Sequence, residues 1–175
     1  MTGKIETMWE GRFITVKREG TWEYVSRSRG IEAAVILAID EDSDGRYILL
    51  VAQYRVPLKA QCLELPAGLI GDEREDENPA DAAARELEEE TGYRAAIMEN
   101  LGRFYSSPGM VSESFTLFKA TNLTKTGPGG GTPDENIAVH RVPLENISDY
   151  IDARRGEGMA LDVKLLLILA CSFLR

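Results

Sequence analysis

The sequence predicts an α/β protein, and three observations predict it. Short strand-like apolar runs occupy much of the chain, one central helix carries boundary signals at both ends, and helical stretches close the C-terminal part. The 175 residues suffice for one domain with a sizeable core and are short for two. Apolar residues make up 43% and charged residues 28%, close to ordinary globular values, which excludes a disordered chain, a collagen-like repeat and a disulfide scaffold.

Residues 12–18 alternate apolar and polar side chains as far as Glu19-Gly20, and residues 21–26 resume the alternation, so an antiparallel hairpin is expected at the N-terminus. Residues 33–39 and 47–54 are nearly continuous apolar runs joined by an acidic turn, the pattern of buried core strands. A glycine-flanked loop then precedes a helix over 79–91. Asn78 can cap its start, Pro79 suits its first turn and Gly92 suits its exit. Strands follow at 95–105 and 114–120, then a glycine-rich loop over 127–133 whose composition predicts mobility. A strand over 137–142 leads to a helix over 144–153, a turn at 156–158, and a last helix reaching residue 174, whose long apolar stripe is expected to pack on the core.

Several function classes drop out early. The longest apolar run, 165–174, is too short to cross a bilayer and the N-terminus has no signal-peptide core, so a cytoplasmic protein with no membrane partner is expected. Cys62 and Cys171 lack metal-ligand spacing and are expected to be buried free thiols. The lone His140 has nothing around it with base–nucleophile spacing and is read as structural. A net charge of −9 argues against a nucleic-acid groove. Its distribution says more: between Glu64 and Glu90 there are 11 acids and 2 bases, and the rest of the chain holds 18 of each. The whole excess lies in one segment.

Within that segment the chain runs Gly71, five residues, Glu77, seven residues, Arg85-Glu86-Leu87, one residue, Glu89-Glu90, one residue, Gly92-Tyr93. At about 100° per residue, Glu86, Glu89 and Glu90 share one side of the helix, while Ala80, Ala83, Ala84 and Leu87 face the core. Like charges at i and i+4 repel unless a cation lies between them. Hard carboxylate oxygens open to water suit Mg2+ or Mn2+, which borrows substrate phosphate oxygens as further ligands, so a phosphate-containing substrate is expected.

This pattern resembles the Nudix box at every defined position, and the resemblance extends over nearly the whole chain. It implies the Nudix fold, an α/β/α sandwich with a mixed sheet and an N-terminal antiparallel strand element. It also implies two or more Mg2+ ions held by Glu86, Glu89, Glu90 and the Ala67 carbonyl, with Arg85 orienting a catalytic glutamate. Gln53-Tyr54-Arg55, residues 63–70 and Ser107-Pro108-Gly109, sixteen residues beyond Gly92 at Pro108, look like the ADP-ribose pyrophosphatase branch. By that likeness Arg55 contacts a diphosphate, Glu64 is a further site carboxylate and Pro108 accompanies ADP-ribose hydrolysis.

Residues 21–27, with Trp22, Glu23 and Arg27, match the same branch, in which the tryptophan stacks on the nucleobase and the N-terminal strands swap across a homodimer. Residues 1–30 would then be the swap element and 31–175 the catalytic domain, with Phe13 closing the other face of the base. Glu135 matches the loop glutamate that serves as general base, with Glu89, Glu113 and Asp134 next in line. The implied activity is hydrolysis of ADP-ribose or a related nucleoside diphosphate sugar. A GDP-mannose or broader sugar-nucleotide hydrolase is the alternative within the class. A nucleotide-sensing module without catalysis is the alternative outside it.

Overall fold

The alternation of side chains along the strands sorts the chain into layers in the computed structural model, which describes residues 3–71, 78–132 and 135–173. Three strands come first, β1 (Ile5–Glu10), β2 (Ile14–Glu19) and β3 (Trp22–Arg27), and form an antiparallel sheet of their own. β2 and β3 are the expected hairpin. β1 goes unseen in the sequence because its pairing with β2 shifts register between Thr7 and Trp9, a bulge that breaks the alternation.

Next come β4 (Glu32–Asp42), β5 (Gly45–Arg55), β6 (Ala60–Glu64) and β7 (Ala67–Ile70), followed by helix α1 (Pro79–Thr91). β8 (Tyr93–Tyr105), β9 (Ser114–Lys125), β10 (Ala138–Pro143), α2 (Ile147–Gly156), β11 (Ala160–Leu161) and α3 (Leu166–Phe173) complete the chain. The second sheet runs β11-β6-β5-β4-β9-β8, with β10 also on β5 and β7 also on β4. It is mixed: β4 runs parallel to β9 and β11 to β6.

Both faces of this sheet are covered, which is why β4 and β5 read as continuous apolar runs. On one face Val35, Ile39, Ile48, Leu50 and Leu117 meet Ile147 and Ile151 of α2 and Leu169 of α3. On the other, Ala34, Ile36, Leu49 and Phe118 meet Ala83 and Leu87 of α1. The layers are therefore α/β/α, as expected. The loop between β5 and α1 differs from its expectation, since it holds β6 and the four-residue β7. Pro66 and Gly68 interrupt the run and hide the strand. The last helix is also shorter than expected: residues 160–161 pair with β6, and Asp162 caps a 3-10 turn by accepting the Lys164 amide at 2.7 Å. Among the described residues no helix is long and apolar enough to cross a membrane.

Helix α1 starts and stops where its sequence says. Asn78 Oδ1 accepts the Ala80 amide at 2.9 Å, Pro79 opens the first turn, and Gly92 ends the helix in the left-handed region at φ 74°. The described part of the glycine-rich loop lies against the end of α1. Its amides at Gly130 and Gly131 donate to the carbonyls of Glu90 (2.8 Å) and Glu89 (3.0 Å), the last acceptors of α1. A Cβ at Gly92 would lie 2.2 Å from the Gly127 carbonyl oxygen, and one at Gly129 would lie 2.4 Å from the Thr91 carbonyl carbon. These glycines serve close approach of two backbones, and the loop is fastened to the helix.

Gly92→Ala meets both a positive φ and a backbone clash, so urea unfolding is expected to show a loss of about 2 kcal/mol or more, against about 1 kcal/mol for the cap variant Asn78→Ala. Equal midpoints for Gly92→Ala and the parent protein would show that the loop does not bear on the helix.

Candidate active site

The fastened end of α1 faces an open cleft of about 600 Å³. Among the described residues six carboxylates line it, Glu64, Glu86, Glu90, Glu113, Glu135 and Asp162, with three cations, Arg27, Arg55 and Lys164. Each cation is matched to one carboxylate. Arg55 forks onto Glu64 at 2.5 and 2.8 Å, Arg27 meets Glu113 at 2.5 Å, and Lys164 meets Asp162 at 2.6 Å. The excess negative charge of the cleft therefore comes from Glu86, Glu90 and Glu135, of which Glu86 is also paired to Arg85 at 2.9 Å.

Glu90 is the most constrained of these. It is only 4% exposed, because the last turn of α1 is pressed against β7, where the Ala67 amide donates to its Oε2 at 3.1 Å. Burial, together with repulsion from Glu86 and Glu135, raises its carboxyl to about 8, well above the ordinary carboxylate range, despite the Ala67 hydrogen bond. Glu86 reaches the same wall through Gly68, where a Cβ would lie 2.0 Å from the Glu86 carboxyl carbon. A larger residue at 68 would displace the Glu86 carboxylate.

The fit to a divalent cation follows from this donor set. Two hard carboxylates lie on one wall with the Ala67 backbone beside Glu90, and the buried one ionises only against a penalty that a cation would remove. Among the described residues no three His, Cys, Asp or Glu side chains converge as a cage for an ion.

Not every residue singled out in the sequence gathers here. Arg27, Arg55, Ala67, Glu86, Glu90 and Glu135 line the cleft; Glu89 and Arg85 do not. Glu89 is half exposed and turned to Arg85 at 3.2 Å, so the helical arc that groups it with Glu86 and Glu90 overstates their convergence. Trp22 and Pro108 line a separate cavity of about 390 Å³. Trp22 is 64% exposed, as is Phe13, and the two lie at opposite ends of the β2–β3 pair, so within one chain they do not sandwich a common ring. Glu23 is exposed opposite Arg18. Glu77 and Asp134 lie outside the described residues.

Cys62 is buried and free, but it sits on the cleft wall near Glu64 and Asp162, where burial above all raises its thiol to about 12. It is an inert thiol in a less apolar place than its neighbours in sequence imply. His140 bonds Tyr150 at 2.8 Å and does not line the cleft. The sequence reading missed Lys164 and Asp162 and named Gln53 only as part of a motif; the three join the cleft because β11 pairs with β6 and β6 with β5. It also missed Thr132, whose amide and hydroxyl both donate to Glu135.

Comparison with known proteins gives a consistent result. A family model described as the NUDIX domain matches residues 30–161. The ADP-ribose pyrophosphatase of Bacillus subtilis is 34% identical over 123 residues, covering 70% of this chain and 63% of that protein. The GDP-mannose pyrophosphatase of Cronobacter sakazakii is 31% identical over 171 residues, covering 93% and 81%. The chain thus spans somewhat under two thirds of the first of these relatives. A solved ADP compounds hydrolase superposes with a TM-score of 0.71 over 97% of this chain and 91% of its own, at 24% identity, and so shares the fold.

Because the folded-state carboxyl of Glu90 is raised from the 4.5 of an ordinary glutamate to about 8, the folded protein holds that proton over a pH range where the unfolded chain has released it. Stability of the protein in EDTA is therefore expected to fall as pH rises from 5 to 8. Glu90→Gln should flatten that slope and melt higher than the parent at pH 8. An unchanged slope in the variant would mean that Glu90 is not the strained group.

Proposed function

The chain belongs to the Nudix family, and from that membership we propose that it hydrolyses the diphosphate of a nucleoside diphosphate sugar, with ADP-ribose the leading substrate and AMP and ribose 5-phosphate the products. The observation that carries this reading is the pair Glu86 and Glu90, like charges on one wall of a cleft whose own cations are already matched. Such a cleft repels a bare diphosphate. It accepts one that arrives with divalent cations, and Glu86, Glu90 and the Ala67 carbonyl are the groups to hold Mg2+ or Mn2+, two or more ions in all, joined by Glu89 if it leaves Arg85. A divalent cation held by these residues would supply charge to neutralise the diphosphate and would lower the pKa of an attacking water.

The chain's own groups do the rest. Arg55 presents its guanidinium to the cleft from its fork on Glu64, placed to take a phosphate oxygen. Arg85, bridging Glu86 and Glu89, fixes the carboxylates of α1 in orientation. Glu135, across the cleft wall from Glu90, accepts the proton of the attacking water. The exposed Trp22 and Phe13 supply the base platform when the N-terminal sheet of a second copy is laid against the catalytic domain, so the working unit is a homodimer. The protein is a cytoplasmic enzyme with no nucleic-acid or membrane partner.

The similarity to a GDP-mannose pyrophosphatase supports a second reading, a GDP-mannose or broader sugar-nucleotide hydrolase with the same chemistry. The retained carboxylates of α1 disfavour a module that binds without cleaving.

A panel of nucleotide sugars with Mg2+, read as phosphatase-accessible product, is expected to show ADP-ribose turned over fastest. Turnover of GDP-mannose above ADP-ribose selects the second reading, and no turnover with measurable binding selects the sensor. Glu135→Gln should lose about 10²-fold or more in kcat with its Mg2+ dependence unchanged. Trp22→Ala should weaken substrate by about 1–3 kcal/mol, seen mainly in KM; an unchanged KM with a lowered melting temperature would make Trp22 a packing residue.

A further inference from the structure

Resting on the assignment of Glu135 as general base, we propose that Thr132 is the positioning residue of that base, holding its carboxylate by one oxygen so that the other is presented to the cleft. The Thr132 amide donates to Glu135 Oε2 at 2.7 Å and the Thr132 hydroxyl donates to the same oxygen at 3.0 Å. In return the Glu135 amide donates to the Thr132 carbonyl at 3.0 Å. Both side-chain contacts therefore fall on Oε2, and none of the hydrogen bonds described for Glu135 involves Oε1.

What makes this a positioning device is where Thr132 is anchored. The preceding residue, Gly131, donates its amide to the Glu89 carbonyl, and Gly130 donates to the Glu90 carbonyl at the end of α1. The Ile137 amide returns to the Gly130 carbonyl at 3.2 Å, and the Ile137 side chain is buried. One short path thus runs from the backbone of the carboxylate-bearing helix through Gly131 and Thr132 to the carboxylate of Glu135. Gly131 permits it twice over: its φ is 69°, and a Cβ there would lie 2.5 Å from Glu135 Oε2. A glutamate free to rotate about three side-chain bonds spends little time in one geometry, whereas two donors on one oxygen fix both its direction and the plane of the group.

The hydroxyl carries one of the two bonds, so its removal should loosen Glu135 without releasing it. Thr132→Val keeps shape and amide and loses the hydroxyl; kcat is expected to fall about fivefold to twentyfold, with KM and the Mg2+ half-saturation unchanged within about twofold. Thr132→Ser should restore kcat to within about twofold of the parent. In the Glu135→Gln background, Thr132→Val should cause no further loss. Parental kcat in Thr132→Val overturns the proposal, as does a loss that appears in KM, that Ser fails to restore, or that persists undiminished beside Glu135→Gln. If Glu135→Gln itself keeps parental kcat, the base assignment has failed and the positioning role falls with it, an outcome separate from a dead Glu135→Gln beside an unaffected Thr132→Val.

Discussion

Everything in this structure turns on placing negative charge where a helix least tolerates it. Glu86, Glu89 and Glu90 crowd the last turns of α1, the end at which the peptide dipoles already sum to partial negative charge, and the last turn carries no basic residue. Glu90 is in addition withdrawn from water. Local propensity, dipole and solvation all oppose the arrangement. A charge pattern that costs stability by three routes at once persists at a site where something positive is meant to bind. Arg85 supplies part of that charge from the flank, on Glu86 and Glu89, while Glu90 meets the cleft with an amide hydrogen bond from Ala67.

The surrounding architecture reads as the scaffold that this strain requires. Leu87 and Ala83 seat α1 on the sheet with no exposed surface, and the helix has a cap at each end. Its last carbonyls, which would otherwise want solvent or a cation of their own, are taken by the amides of Gly130 and Gly131. The same two bonds carry the loop that brings Glu135 to the cleft. The described part of the glycine loop and the carboxylate helix are thus bonded together, and a Cβ at Gly68, Gly92, Gly129 or Gly131 would enter a neighbour's backbone or carboxylate. Preorganisation, rather than flexibility, is what these glycines provide.

How much of this was legible in the sequence depended on the range of the interaction involved. The span of α1 followed from Asn78, Pro79 and Gly92, because caps and exits act within a few residues. The layering followed from the continuous apolar runs of β4 and β5, because burial on two faces leaves its mark on every residue. The acidic segment pointed to a divalent cation through its charge excess together with the spacing of Glu86, Glu89 and Glu90. What escaped depended on pairing between distant segments: β7, with Pro66 and Gly68 beside and within it, is a strand only because β4 lies alongside, and β11 exists as two residues on β6. The helical wheel grouped Glu89 with Glu86 and Glu90 because it counts angles and omits Arg85, which draws Glu89 aside. The contacts of the glycine loop were hidden for a related reason, since glycine content does not reveal a close approach until the contacting backbone is known.

The placement of the aromatic residues bears on how the proposed homodimer would act. The N-terminal sheet meets the rest of its own chain through β3, where the Val25 amide bonds the Met110 carbonyl and the Ser112 amide bonds the Val25 carbonyl. That contact leaves Trp22 beside Pro108 in one cavity and the α1 carboxylates in another, with Phe13 at the far end of the sheet. A nucleoside diphosphate sugar has its base and its scissile diphosphate joined by a single ribose, and Trp22 and the α1 carboxylates line different cavities of one chain. In the proposed homodimer the second copy would bring an aromatic face to the carboxylate cleft. The exposed Trp22 and Phe13 of a second copy are side chains suited to that task, and Arg27, which leaves β3 to line the carboxylate cleft, marks the edge across which they would approach.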